Sequence, residues 1–90
     1  MFEIEETKKA VKDKKKVKSM SNTIKKRFQD IFYLLQTDPY SVQFGGENLM
    51  YEGEGLRSFE LTKKDRIVIE IVEELNTVLV YQYLGHYTDK

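Results

Sequence analysis

The apolar and polar positions of this chain move from a two-residue alternation to a helical period and back again. Phe2-Glu3-Ile4-Glu5 alternates, which suits a short strand with one buried face. Thr7 then offers an N-cap for a helix running from Lys8 through Met20. That helix is thinly amphipathic, with Ala10, Val11, Val17 and Met20 as its apolar positions. Lys14 falls where an apolar residue would complete the stripe, so its stem is expected across the core edge with the ammonium outside. Ser21 or Asn22 caps a second helix whose buried face is clear: Ile24, Phe28, Ile31, Phe32 and Leu35 follow the helical spacing. Thr37-Asp38-Pro39 ends it, because proline disfavours α geometry in the residue before it.

Residues 38–55 read as a long loop carrying Gly45, Gly46, Gly53 and Gly55, and loops of this length in a small domain are often functional. Three strands follow, Leu56–Leu61, Arg66–Val72 and Thr77–Tyr83. The segments between them, Thr62–Asp65 and Glu73–Asn76, are short enough for hairpin turns. The order is therefore β-α-α-β-β-β. The expected fold is a single α+β domain over residues 1–90, with two N-terminal helices packed on one face of an antiparallel meander. On the middle strand, Ile67, Ile69 and Ile71 form an apolar row that the helices must cover. Arg66, Val68, Glu70 and Val72 then point to the open face, where a ligand could reach Arg66. Val78 and Val80 share one face of the last strand, and Leu79 and Tyr81 the other.

Composition narrows the classes. Ninety residues support one modest core. The absence of cysteine excludes disulfides and cysteine-ligated zinc, and no histidine spacing suits a transition metal, so neither cofactor nor metal is expected. No apolar run approaches the length of a membrane span or a signal peptide, which points to a cytoplasmic protein without membrane association. The formal charge is zero but segregated: residues 1–27 carry ten basic side chains and four acids, a net of +6, leaving −6 on the remainder. Such a block suits either a solvated helix face or a polyanion-binding surface. Lys8, Lys9, Lys12, Lys15 and Lys16, with Lys63 and Lys64 of the first hairpin turn, are the candidate nucleic-acid contacts.

The chemistry-bearing positions are few. His86 is the only histidine, and it follows Gly85, which lets the backbone bend sharply. Tyr87 beside it adds a hydroxyl. Tyr83 is either strand-surface packing or a platform for an RNA base. Glu47 lies in the glycine-bearing loop. Cleaving RNA through its own 2′-hydroxyl needs a base on one side of phosphorus and an acid on the other, each contributing about 10²–10⁴-fold. It also needs a cation for the charge that builds on phosphorus, a task for which arginine is suited. Each residue also has a bland alternative: Glu47 as a solvated carboxylate, Arg66 as the cross-sheet partner of Asp65, Glu60 or Glu70.

Taken in order, Glu47-Asn48-Leu49, then Arg57 through Val68, then Tyr81-Gln82-Tyr83-Leu84-Gly85-His86-Tyr87 resemble the YoeB/Txe branch of the RelE/ParE toxin superfamily. The resemblance implies the toxin of a type II toxin–antitoxin system: a metal-independent, ribosome-dependent endoribonuclease that cuts mRNA in the decoding site. It also implies a YefM/Phd-type antitoxin as partner, the ribosome and mRNA as targets, and a second copy of the chain as a further candidate partner. By the same resemblance Glu47 would be the general base, Arg66 would steady the phosphate, His86 would be the general acid and Tyr87 would orient the phosphate. The chain departs from the family pattern at Phe59-Glu60, where basic residues are frequent. It also departs at Ile69, often tyrosine, and at Met50-Tyr51, in place of a basic stretch. An acid at Glu60 must face away from phosphate or pair with Arg57. Two other readings stay open: a ParE-like gyrase poison, which has no use for an acid–base pair, and a catalytically silent module that grips an antitoxin.

Overall fold

A computed structural model describes residues 1–49 and 55–86. Its elements are β1 (Glu3–Glu6), α1 (Lys8–Val17), α2 (Asn22–Thr37), β2 (Glu47–Asn48), β3 (Leu56–Glu60), β4 (Arg66–Val72) and β5 (Thr77–Gln82), with single 3₁₀ turns before β2 and between β4 and β5. The expected α+β fold is present, with two helices before an antiparallel β3–β4–β5 meander. The full sheet has the order β1-β5-β4-β3-β2 and is mixed, because β1 runs parallel to β5 at one edge. A parallel neighbour requires a long connection, and here the chain passes through both helices to the far edge and back through β2, β3 and β4 before β5. At the other edge, β2 pairs antiparallel with β3.

Local chemistry accounts for the helix boundaries. The Thr7 hydroxyl accepts the Ala10 N–H at 3.1 Å and donates to the Tyr81 carbonyl at 2.8 Å, so it caps α1 and ties it to β5. Ser21, rather than Asn22, caps α2 through the Ile24 N–H. α1 stops at Val17, three residues short of the expected Met20. Ile31 and Leu35 of α2, Ala10 and Val17 of α1, and Phe59, Ile67, Ile69, Ile71, Val78 and Val80 of the sheet form one buried cluster. The isoleucine row thus lies beneath the helices. Ile69 is fully buried within it. Lys14 behaves as expected: its ammonium lies 5.7 Å from the Phe32 ring centroid and pairs with Glu6 at 2.7 Å. No helix among the described residues is long and apolar enough to cross a membrane.

One irregularity changes the parity of the last strand. Val68 pairs with Gln82 while Ile69 pairs with Val80, so a bulge sits in β5 at Tyr81. A single inserted residue sends every later side chain to the opposite face. Tyr83, expected at the surface as an RNA contact, is consequently core: it is fully buried and its ring meets Phe28 edge-on at 4.9 Å. It offers no surface to a nucleic acid.

Candidate active site

The open face of the sheet is assembled by register. Glu47 pairs with Ser58, Ser58 with Val68, and Glu60 with Arg66, so these side chains share the face turned from the helices. Ser58 and Val68 form its buried floor. Glu47 lies on the two-residue strand β2 rather than in a loop. Its carboxylate reaches to 3.7 Å from the Arg66 guanidinium, and both side chains remain substantially exposed. A pair so open to water adds little stability, and its groups stay available to a ligand.

Arg57 holds β2 in place from the opposite face. It pairs with Asn48 in the ladder, donates to Asn48 Oδ1 at 3.2 Å and to the Ser41 carbonyl at 2.7 Å, and stacks over Phe59. Burial lowers its pKa below the ordinary guanidinium value, partly offset by Asp38, Glu47 and Tyr40. Pairing with Arg57, one of the two arrangements open to Glu60, is not formed: alternation along β3 turns Arg57 to the helix side and Glu60 to the open side. Glu60 sits directly opposite Arg66. Arg27 of α2 donates to the Glu60 carbonyl at 2.8 Å and lies over the Phe44 ring, fixing the turn that leads into β2.

The segment bearing His86 is anchored at successive amides. The Tyr83 and Leu84 N–H groups both donate to Asp13 Oδ2 at 3.1 Å. The Gly85 N–H donates to Asp65 Oδ1 at 2.8 Å, and the Gly85 carbonyl accepts from the Arg66 N–H at 2.9 Å. The Gln82 side-chain amide bridges the Arg66 and Gly85 carbonyls at 3.1 and 3.2 Å. Gly85 adopts φ 110°, a conformation that L side chains rarely take. His86 therefore emerges, exposed, from a residue stitched to the backbone of Arg66. Tyr87 lies outside the described residues, as do Met50 and Tyr51.

Of the candidate lysines, Lys8, Lys12, Lys15, Lys16, Lys63 and Lys64 are exposed. Lys9 is engaged, donating to Asp13 Oδ2 at 2.8 Å and to the Leu84 carbonyl at 2.9 Å. Among the described residues no group of acidic or histidine side chains is arranged to hold a metal ion.

Comparison with solved structures places this geometry. The YoeB/ParE toxin from Agrobacterium tumefaciens superposes with a TM-score of 0.80 at 17% identity, over 96% of this chain and 100% of that one. The toxin–antitoxin structure titled YoeB-YefM complex from Staphylococcus aureus matches with a TM-score of 0.76 at 16% identity, covering 97% and 99% of the two chains. An archaeal RelE-RelB complex from Pyrococcus horikoshii matches with a TM-score of 0.72 at 17% identity, covering 93% of each. The chain has the YoeB/RelE toxin fold. By sequence, neither a protein-family model nor a curated protein matches it.

Within the YoeB/RelE fold, the structure brings Glu47 and Arg66 together on the open face, where alternation put Arg66, and ties Gly85, the residue before His86, to the Arg66 backbone; side-chain parity had left His86 without a face. Sequence reading missed Asp13, Asp65, Arg57 and Gln82, the groups that hold them there. Asp13 had a signal: it falls in the Ala10–Val17 stripe of α1, where a carboxylate is out of place unless it is hydrogen-bonded. Arg57 shares the parity of Phe59, which marked it for the buried face.

Proposed function

We propose that this chain is the toxin of a type II toxin–antitoxin system, acting as a ribosome-dependent endoribonuclease on mRNA. The observation that carries the reading is the Glu47–Arg66 approach of 3.7 Å on the open face, beside the Gly85 backbone that delivers His86. In the proposed reaction Glu47 removes the 2′-hydroxyl proton and the 2′-oxygen attacks phosphorus. The bond from phosphorus to the 5′-oxygen breaks, and His86 gives its proton to that departing oxygen. A 2′,3′-cyclic phosphate and a 5′-hydroxyl result. Arg66 offsets the charge accumulating on the phosphoryl oxygens, a contribution commonly about 10²–10³-fold. Positioning of Glu47 against the 2′-hydroxyl is assigned much of the rate. Tyr87 is assigned the orientation of the phosphate. The exposed lysines of α1 and of the β3–β4 turn are assigned to ribosomal RNA.

A YefM/Phd-type antitoxin is proposed as the inhibiting partner, in line with the antitoxin complexes among the structural neighbours. Self-association and a cytoplasmic setting belong to the same proposal. One observation favours the silent-module alternative: Glu60 stands opposite Arg66 on the phosphate-facing side. Expression of the chain alone separates the readings. Arrest of growth relieved by both His86→Ala and Glu47→Ala supports the nuclease. Arrest undiminished in both variants contradicts it and favours a gyrase poison.

A further inference from the structure

We infer that Asp13 and Asp65 are positioning residues for His86, holding three successive backbone N–H groups and so fixing where the proposed general acid stands. The inference rests on the nuclease reading above. The β4–β5 ladder ends at the Val68–Gln82 pair, and the chain must then leave the strand, cross, and rejoin β4 where Gly85 accepts from the Arg66 N–H. Over that crossing the amides of Tyr83, Leu84 and Gly85 have no strand partner. Two carboxylates take them: Asp13 Oδ2 from α1 receives Tyr83 and Leu84, and Asp65 Oδ1 from the β3–β4 turn receives Gly85. Tyr83 and Leu84 converge on one carboxylate oxygen and Gly85 meets a second carboxylate, and such charge-assisted bonds are roughly twice as strong as neutral ones.

The chemistry of Asp13 is costly without such a role. Its carboxylate is 4% exposed in an otherwise lysine-rich helix, and Oδ2 alone receives the Tyr83, Leu84 and Lys9 donors. Burying a charge is expensive unless it is fully hydrogen-bonded, and here most of its donors are the backbone two and three residues before His86. Lys9 closes the same loop, donating to Asp13 and to the Leu84 carbonyl. Asp65 is likewise committed, with Oδ2 accepting the Thr62 hydroxyl at 2.7 Å while Oδ1 holds Gly85. Neither carboxylate contacts the open face through these bonds. Both act on His86 through the chain.

The test exploits leaving-group chemistry. A 5′-oxygen needs a proton as it departs, whereas a bridging sulfur at that position leaves as a thiolate and does not. Single-turnover cleavage is measured on programmed ribosomes with mRNA carrying either atom at the cut. Asp13→Ala and Asp65→Ala are each expected to slow cleavage of the oxygen substrate by about 10²-fold, the effect of misplacing a catalytic group by about 1 Å. On the sulfur substrate both should return to near wild-type rate, as should His86→Ala. Asp13→Asn, which keeps an acceptor for Tyr83 and Leu84, should recover most of the oxygen rate. Should Asp13→Ala fail to fold, Asp65→Ala, at a half-buried position, carries the same comparison. Equal losses on both substrates, or no loss on either, would overturn the positioning role. Wild-type rate in His86→Ala on the oxygen substrate would instead sink the nuclease reading itself.

Discussion

The carboxylate of Glu47 lies 3.7 Å from the guanidinium of Arg66, and Glu60 stands opposite the same arginine on the neighbouring strand. Both acids lie on the β3–β2 side of Arg66. An incoming phosphate must compete with both. Glu47 has a proposed use in the chemistry; Glu60 has none. Replacing it should strengthen binding. Glu60→Lys is expected to tighten ribosome–mRNA binding and to steepen its log–log salt dependence by about 0.7 per added phosphate contact. Binding measured across a salt series checks this, and unchanged affinity would mean that Glu60 does not face the RNA.

The turn before β2 is tested at Gly46. A Cβ at this position would stand 2.2 Å from the Ser41 carbonyl oxygen and 2.8 Å from the Phe59 ring. Because the nearest obstacle is backbone, the turn itself must shift. Gly46→Ala should destabilise the fold by about 1–3 kcal/mol, as overpacking does. It should also lower activity beyond that loss by moving Glu47. Denaturant unfolding alongside activity under fully folded conditions separates the two effects.

A third expectation concerns acid. Burial alone would raise the Glu6 pKa, but hydrogen bonds from Lys14 and Tyr83, with the Lys14 charge, hold it below the usual 4.5. Burial and the Glu6 carboxylate push the Tyr83 phenol far above its usual 10.0, so it remains a donor. A lowered carboxylate pKa stabilises the fold fully above about 4.5 and is lost as pH falls through the lowered value. Tyr83→Phe should cost about 1–2 kcal/mol near neutrality, and the gap to wild type should shrink in acid below that range. Urea unfolding of both proteins across pH measures it. A gap independent of pH would assign the loss to packing around Phe28.

Particular residues mark how far the sequence could be read. The stripe from Ile24 to Leu35 and the Ile67–Ile69–Ile71 row gave the helix and the middle strand, because periodic burial is written directly in residue order. The same alternation put Arg66 on the open face. Tyr83 was misread because a bulge one residue earlier reverses parity, and nothing in Tyr81-Gln82 announces it. Glu47 reads as a loop residue in the sequence, since a strand of two residues has no period to detect. The β1–β5 pairing and the grip of Asp13 on Tyr83 and Leu84 join residues some seventy positions apart. Such contacts are set by packing and leave at most an odd residue, like the carboxylate in the stripe of α1, as their trace.

The most direct test of the central claim is cleavage of a defined mRNA on a programmed 70S ribosome, with the cut mapped to the nucleotide. The wild-type chain should cut within the A-site codon without added metal, leaving a 2′,3′-cyclic phosphate and a 5′-hydroxyl, and His86→Ala should be slower by about 10²–10⁴-fold. An intact mRNA on active ribosomes with folded wild-type protein, or a cut that His86→Ala makes equally well, would contradict it.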